Sequence, residues 1–320
     1  MLRWMPYLTV RNIVKTGEME AARQAAEAKG GMAMKLTLGM YHSFGNDYLI
    51  YDCQKNGYEL KPEDIRSICN RQFGAGSDGI LAGPVQLFGK MGVRIYNPDG
   101  SEAAISGNGL CIFAKYLKDA GYVLKKEFSI QTQSRLVSVR YHDEIGQEMT
   151  VSMGKLYYGQ TAPVADAEKT ERVTVEYGGQ PHEGTCVWMG NLHCIIPMEE
   201  ISKEAVCEIG AALEQSDRFP DGINTQIIRI ADKNNIYTEV YERGAGYTLA
   251  SGSSCCAAAG VAYRLGLTDP CVYVHMPGGT LTVRVDEDLN AYMTGNAECI
   301  GEITLSDEFL RRHGIMPETE

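Results

Sequence analysis

No apolar stretch of this 320-residue chain comes near the roughly 20 residues that a helix needs to cross a bilayer. Neither a membrane-embedded protein nor a membrane partner is expected. Positive charge is also scarce: 30 Lys and Arg stand against 41 Asp and Glu, for a formal net charge of −11, and no Lys/Arg-rich block occurs. Nucleic-acid surfaces need clustered positive charge, so nucleic acid is not an expected partner. The ten cysteines (Cys53, Cys69, Cys111, Cys186, Cys194, Cys207, Cys255, Cys256, Cys271 and Cys299) show neither metal-ligand spacing nor a disulfide framework. A secretory signal is missing too, because Arg3, Arg11 and Lys15 interrupt the short apolar patch Met5-Pro6-Tyr7-Leu8. The thiols then read as reduced, mostly buried groups in a cytoplasmic protein. The glycine turns at Ser106 and Ser251 match neither a Walker A motif nor a dinucleotide fingerprint, and no metal and no cofactor are expected.

What is present begins with composition. Hydrophobic content of 44% and charged content of 22% are those of a soluble globular protein. The length allows two compact units, each with its own core. Residues 1–33 read as an extension dispensable to the fold, or as the product of an upstream start codon, with Met32 and Met34 just before the first strand-like run.

The most informative feature is a repeat. Asn97-Pro98-Asp99-Gly100-Ser101-Glu102-Ala103-Ala104-Ile105-Ser106-Gly107-Asn108-Gly109 flows into the apolar Leu110-Cys111-Ile112-Phe113-Ala114. Glu242-Arg243-Gly244-Ala245-Gly246-Tyr247-Thr248-Leu249-Ala250-Ser251-Gly252-Ser253-Ser254 flows into Cys255-Cys256-Ala257-Ala258-Ala259, and the two Ser-Gly pairs lie 145 residues apart. Each is a polar glycine turn, a few strand-like residues, Ser-Gly, and the start of a helix of small or apolar residues. A helix start offers unpaired N–H donors and about half a positive charge, and glycine lets a ligand oxygen approach the backbone. Two such starts facing one another would grip one carboxylate from two sides, place a hydroxyl on either face, and stabilise a carbanion at the neighbouring carbon.

Short alternating or β-rich runs predict strands at Leu36 to Met40, Tyr48 to Asp52, Val93 to Tyr96, Glu127 to Thr132, Leu136 to Tyr141 and Met149 to Met153 in the first half. In the second half they predict Cys186 to Met189, His193 to Pro197, Thr225 to Ile230, Ile236 to Tyr241, Val272 to Met276, Thr280 to Val285 and Ala291 to Gly295. Helices are expected at Lys61 to Cys69, Gly109 to Ala120, Lys203 to Gln215 and Ser254 to Leu265. Strands outnumber helices and most are joined by turns. This predicts an α+β class with two pseudo-symmetric domains, each a mostly antiparallel sheet wrapped around a central helix, since a helix apolar on every face belongs inside. The expected boundaries are an N-terminal domain at 34–157 plus about 297–309, a C-terminal domain at 158–296 with the linker near Tyr158 to Ala165, and a tail at 310–320.

These turns belong to a longer set of motifs. Phe44-Gly45-Asn46-Asp47, Arg71 to Gly79, Arg94 to Glu102, Gly190-Asn191-Leu192-His193-Cys194, Phe219-Pro220 with Ile223-Asn224, and Glu242-Arg243-Gly244-Ala245-Gly246 run collinearly from about residue 37 to about 309. In this set the chain resembles the diaminopimelate epimerase family. The resemblance implies two similar α/β halves with the site in the cleft, and a cofactor-independent reaction in which one thiolate removes an α-proton and an opposing thiol supplies another. It places the reacting α-carboxylate at the backbone of Gly107, Asn108, Gly252 and Ser253. It lines the pocket with Asn46, Asn97, Asn191, Asn224, Glu242 and Arg243, several of them reading the distal amino-acid end of the substrate. A substrate with an ammonium and a carboxylate at each end does need such a mixture of amides and one fixed charge of each sign. The implied partner is thus a small-molecule amino acid; a homodimer stays open.

The departure is at the chemistry. Both positions where the family carries reactive cysteines are serine here, Ser106 and Ser251. A thiol titrates near 8.5 and an alkanol is far weaker as an acid, while each unit of mismatch costs about 1.36 kcal/mol. Three readings follow: engineered replacements that trap substrate; native serines activated by a neighbouring base or replaced by another acid–base pair, with His193 the nearest motif histidine; or a binding protein that kept the pocket and lost the reaction. Cys255 and Cys256, four and five residues beyond Ser251, would point away from the turn's mouth. Leu192 replaces the family's usual proline, Tyr247 stands where many relatives have glutamate and Cys111 where arginine is frequent, which leaves a racemase for a different amino acid open.

Overall fold

A computed structural model describes residues 35–159, 162 and 171–315. The expected extension at 1–33 and part of the expected linker lie outside the described residues.

The two halves repeat one plan. The first comprises β1 (Thr37–Ser43), β2 (Asn46–Tyr51), α1 (Pro62–Cys69), β3 (Ile80–Leu87), β4 (Lys90–Tyr96), β5 (Glu102–Ala103), α2 (Gly107–Asp119), β6 (Glu127–Gln131), β7 (Leu136–Tyr141) and β8 (Glu148–Lys155). The second opens with an additional strand, β9 (Arg172–Tyr177), and then runs β10 (Gln180–Trp188), β11 (Leu192–Pro197), α3 (Lys203–Glu214), β12 (Asn224–Asp232), β13 (Asn235–Glu242), β14 (Gly246–Thr248), α4 (Gly252–Arg264), β15 (Cys271–Met276), β16 (Gly279–Val285) and β17 (Asn290–Asn296). The chain closes with β18 (Glu298–Thr304) and α5 (Asp307–His313).

Pairings repeat as well. β1–β2 and β10–β11 are antiparallel, β2–β3 and β11–β12 parallel, β3–β4 and β12–β13 antiparallel, β4–β6 and β13–β15 parallel. Antiparallel β8–β17 pairing joins the halves. β18 lies on β1 as β9 lies on β10, so the end of the chain supplies the first half with the strand that the second half draws from its own start. The protein is α+β, with most strand pairs antiparallel, as expected.

Burial follows from residue type. Leu110, Cys111, Ile112, Phe113, Ala114 and Leu117 of α2 are fully enclosed, as are Cys255 to Ala262 of α4, and both helices share one hydrophobic cluster with the strands around them. Full burial of a Leu, Ile or Phe side chain contributes about 1.5–3 kcal/mol over exposure. A helix apolar on every face gains this only when sheets surround it. Serine caps start both helices, with the Ser106 and Ser251 side chains accepting from the Gly109 and Ser254 amides.

Several elements went unanticipated. β3 was hidden because Gly83-Pro84 interrupts its apolar run, and the ladder with β4 shifts register there, between Ala82 and Val85. β18 has mostly exposed side chains and no buried one, so no alternating signal marks it. Residues 310–315 are not a tail: Leu310 of α5 is 1% exposed and Ile315 is fully buried, both in a cluster with Leu36, Ile65 and Ile68. A seven-residue helix held by two apolar anchors is too short for periodicity to announce it.

Candidate active site

The two Ser-Gly turns meet. A methyl group on Gly107 would lie 3.2 Å from the Gly252 Cα and 2.9 Å from the Met153 side chain, and one on Gly252 would lie 3.2 Å from the Gly107 Cα and 2.7 Å from Met293. Met153 and Met293 sit on β8 and β17, the strands that join the halves. A side chain at either position would have to displace a methionine tip and push the facing backbone back by a few tenths of an ångström. Their caps match closely, with φ and ψ of −143° and 123° at Ser106 and −146° and 121° at Ser251. The amides of Gly107, Asn108, Gly252 and Ser253 accordingly converge, and none of them has a backbone acceptor among the described residues.

They open into a cavity of about 860 Å³. Ser106 and Ser251 line it together with Asn46, Asn97, Gly107, Asn108, Asn191, Asn224, Glu242, Arg243, Gly252 and Ser253. His193 does not. It is fully buried behind Asn191, with Nε2 2.7 Å from the Asn191 Oδ1 and Nδ1 3.2 Å from the Gln226 Oε1. Burial lowers its pKa to about 4, so the ring is neutral. A neutral ring has one N–H, so one of these two amides turns its NH2 towards the ring. The expected role of His193 as direct assistant at the serines is therefore corrected: it positions Asn191 and, through Gln226, touches the Ser254 hydroxyl.

The two faces differ. On the α4 side, the Ser251 hydroxyl donates to the Glu242 Oε1 at 2.7 Å and accepts from the Ser254 amide at 3.4 Å. Burial raises the Glu242 carboxyl above its ordinary value, against the Ser251 hydrogen bond, which lowers it. On the α2 side, the Ser106 Oγ accepts from the Gly109 amide at 3.1 Å and from the Tyr48 hydroxyl at 3.3 Å. Asn97, the counterpart of Glu242 in the repeat, donates instead to the Ser101 hydroxyl.

Cysteine takes no part in this lining. Cys255 and Cys256 are fully buried, and desolvation pushes both thiols up, Cys256 to about 12. Cys111 is likewise in the core and pushed up to about 12. Tyr247 does line the cavity, with its hydroxyl donating to Glu239 and the Lys203 ammonium 4.6 Å from its ring centroid.

Arg71 and Asp78 are lining residues not singled out from the sequence beyond their motif. Arg71 bridges Asp47 and Asp78 at 2.6 Å each, Asn46 donates to Asp78 at 2.8 Å, and Asn108 donates to Asn46 at 3.4 Å. The chain of contacts ends on the Asn108 Oδ1, which is buried and has no hydrogen-bond partner among the described residues. Opposite, Asn224 fixes the Arg243 backbone by accepting from its amide at 3.1 Å. Charge at a glycine-rich loop was the available signal for Arg71 and Asp78, but loops carry such residues for many reasons.

Converging helix starts, a hydroxyl on each face and recognition groups of both signs define a site of the amino-acid epimerase and racemase class. Comparison with known proteins agrees. The family model for diaminopimelate epimerase matches residues 39–158 and 185–300. Diaminopimelate epimerase 2 of Nostoc sp. is 40% identical over 273 residues, spanning 84% of this chain and 95% of the relative. The diaminopimelate epimerase of Desulfitobacterium hafniense is 34% identical over 277 residues, spanning 84% and 98%. The chain belongs to the diaminopimelate epimerase family. Among solved structures, its fold is similar to a hydroxyproline epimerase from Agrobacterium vitis, with a TM-score of 0.63 at 14% identity over 85% of this chain and 91% of that one. A PhzF-family phenazine biosynthesis protein from Enterococcus faecalis has a TM-score of 0.58 at 15% identity over 85% and 100%.

Proposed function

We propose that this protein interconverts LL- and meso-diaminopimelate without a cofactor, in the synthesis of lysine and peptidoglycan precursors. The abutting helix starts at Gly107 and Gly252, with a serine capping each, are the observation that carries this reading. The names of the relatives support the substrate. In this reading the α-carboxylate sits on the amides of Gly107, Asn108, Gly252 and Ser253, where donors fixed in advance stabilise the enolate formed as the α-proton leaves. Arg243, Asn46, Asn97, Asn191 and Asn224 read the distal amino-acid end, and a guanidinium fork suits the distal carboxylate.

Ser251 is too weak a base alone, and Glu242 supplies what it lacks. As a proton from Cα arrives at the Ser251 oxygen, the hydroxyl proton passes to the carboxylate 2.7 Å away. A carboxylate raised by burial is better matched to this task than a solvated one. One observation favours a second reading, an amino-acid-binding protein without the reaction: both acid–base positions carry alkanols.

The deciding measurement is deuterium incorporation at Cα when LL-diaminopimelate is incubated in D2O with the native protein and with a Ser106→Cys, Ser251→Cys variant. Exchange by both is expected, faster by the variant. Exchange by the variant alone favours the binding protein, and tight binding of another amino acid with no exchange in either form overturns the diaminopimelate assignment.

A further inference from the structure

The hydrogen-bond directions at the two serines are opposite, and this has a chemical consequence. Ser251 spends its own proton on Glu242, so its oxygen is left purely as an acceptor, with the Ser254 amide at 3.4 Å and the Ser253 hydroxyl, also in the cavity wall, at 3.5 Å. Ser106 accepts two hydrogen bonds, from the Gly109 amide and the Tyr48 hydroxyl, so its own proton is what remains. One face is set to receive a proton and the other to give one.

We propose that Tyr48 is the proton reservoir behind Ser106, so that Tyr48–Ser106 and Glu242–Ser251 form two serine-relayed paths, one to each face of the substrate. The inference rests on reading the site as a two-faced epimerase. In the forward step the Cα–H bond breaks on the Ser251 side, its electron pair enters the carboxylate system as the enolate, and the proton ends on Glu242 by way of Ser251. On the opposite face Ser106 delivers its hydroxyl proton to Cα and takes the Tyr48 proton in its place. Product leaves with inverted configuration, a neutral Glu242 and a Tyr48 phenolate, and water returns the proton from one to the other. No oxidant or reductant enters.

Placement supports this role. Tyr48 is 7% exposed and lies on β2 two residues after Asn46, in the cavity wall. His193 stands 145 residues later, two after Asn191, and is the residue removed from its serine. The repeat has thus split its assignments: carboxylate and serine in one half, phenol and serine in the other. Burial pushes the Tyr48 phenol up to about 12, against the Ser106 hydrogen bond, which lowers it, and with the charge of Glu242 adding to the rise, so at neutral pH it holds the proton the relay requires.

The test is Tyr48→Phe, alone and combined with Ser106→Cys, read by Cα exchange in D2O with LL-diaminopimelate and, in parallel, with a mixture of L-amino acids. Alone, the change is expected to lower kcat by about 100-fold or more with KM within about threefold, the scale of a lost general acid. With Ser106→Cys present the same change is expected to cost less than about threefold, because a thiol carries a usable proton of its own. An equal loss in both backgrounds, or no loss in the first, overturns the relay. If the native protein exchanges an amino acid other than diaminopimelate, the substrate assignment fails while the relay is tested on that amino acid. If it exchanges none, the relay is overturned, and exchange of diaminopimelate by the Ser106→Cys, Ser251→Cys variant then leaves the substrate assignment standing.

Discussion

Ser106 and Ser251 line one cavity, but the sequence does not show the partners that distinguish them, Glu242 on one side and Tyr48 on the other. His193 makes the converse point. It sits in a family motif, so sequence reasoning put it beside the serines, yet the alternation of β11 turns its ring inward between Asn191 and Gln226. Its folded pKa of about 4 lies below the usual 6.5, so the unfolded chain binds the extra proton between those values and stability declines as pH falls through that window, by about 1.36 kcal/mol per unit. His193→Gln is expected to flatten the slope of unfolding free energy between pH 6.5 and 4, measured by urea titration. An unchanged slope would mean that the ring is not the group responsible.

Helices α2 and α4 were legible because residues apolar or small on every face leave no other placement, and their serine caps are written in the sequence. Their contact was not. Nothing in either Ser-Gly pair states that the other lies against it; the pairing of the two strands that join the halves, which carry Met153 and Met293 beside the glycines, is a contact distant in sequence. Gly252→Ala is expected to destabilise the fold by about 1–3 kcal/mol through overpacking against Gly107 and Met293. With the carboxylate bound as proposed, it should also abolish exchange by separating the two sets of amides. Thermal unfolding and the D2O assay read the two effects separately; a stable, fully active variant would show that the helix starts have room to spare.

For the whole molecule, the repeat accounts for the architecture: seven strand pairings recur in both halves, and β18 and β9 fill equivalent places from different ends of the chain. The last described residues belong to this structure, since Leu310 and Ile315 close the cluster beneath α1. Leu310→Ala is therefore expected to cost about 2–5 kcal/mol in chemical denaturation, where a tail residue would cost nothing measurable.

Local chemistry was enough for the α+β class, the two buried helices and their serine caps, because these depend on residue type, periodicity and capping within short windows, while the family resemblance supplied most of the cavity wall. The abutment of the two glycines, the burial of His193, the pairing of Arg71 with Asp78, and the different partners of the two serines, Glu242 and Tyr48, came from the tertiary structure. Each of these depends on which side chain another part of the chain brings within 3 or 4 Å, and no local pattern carries that distance.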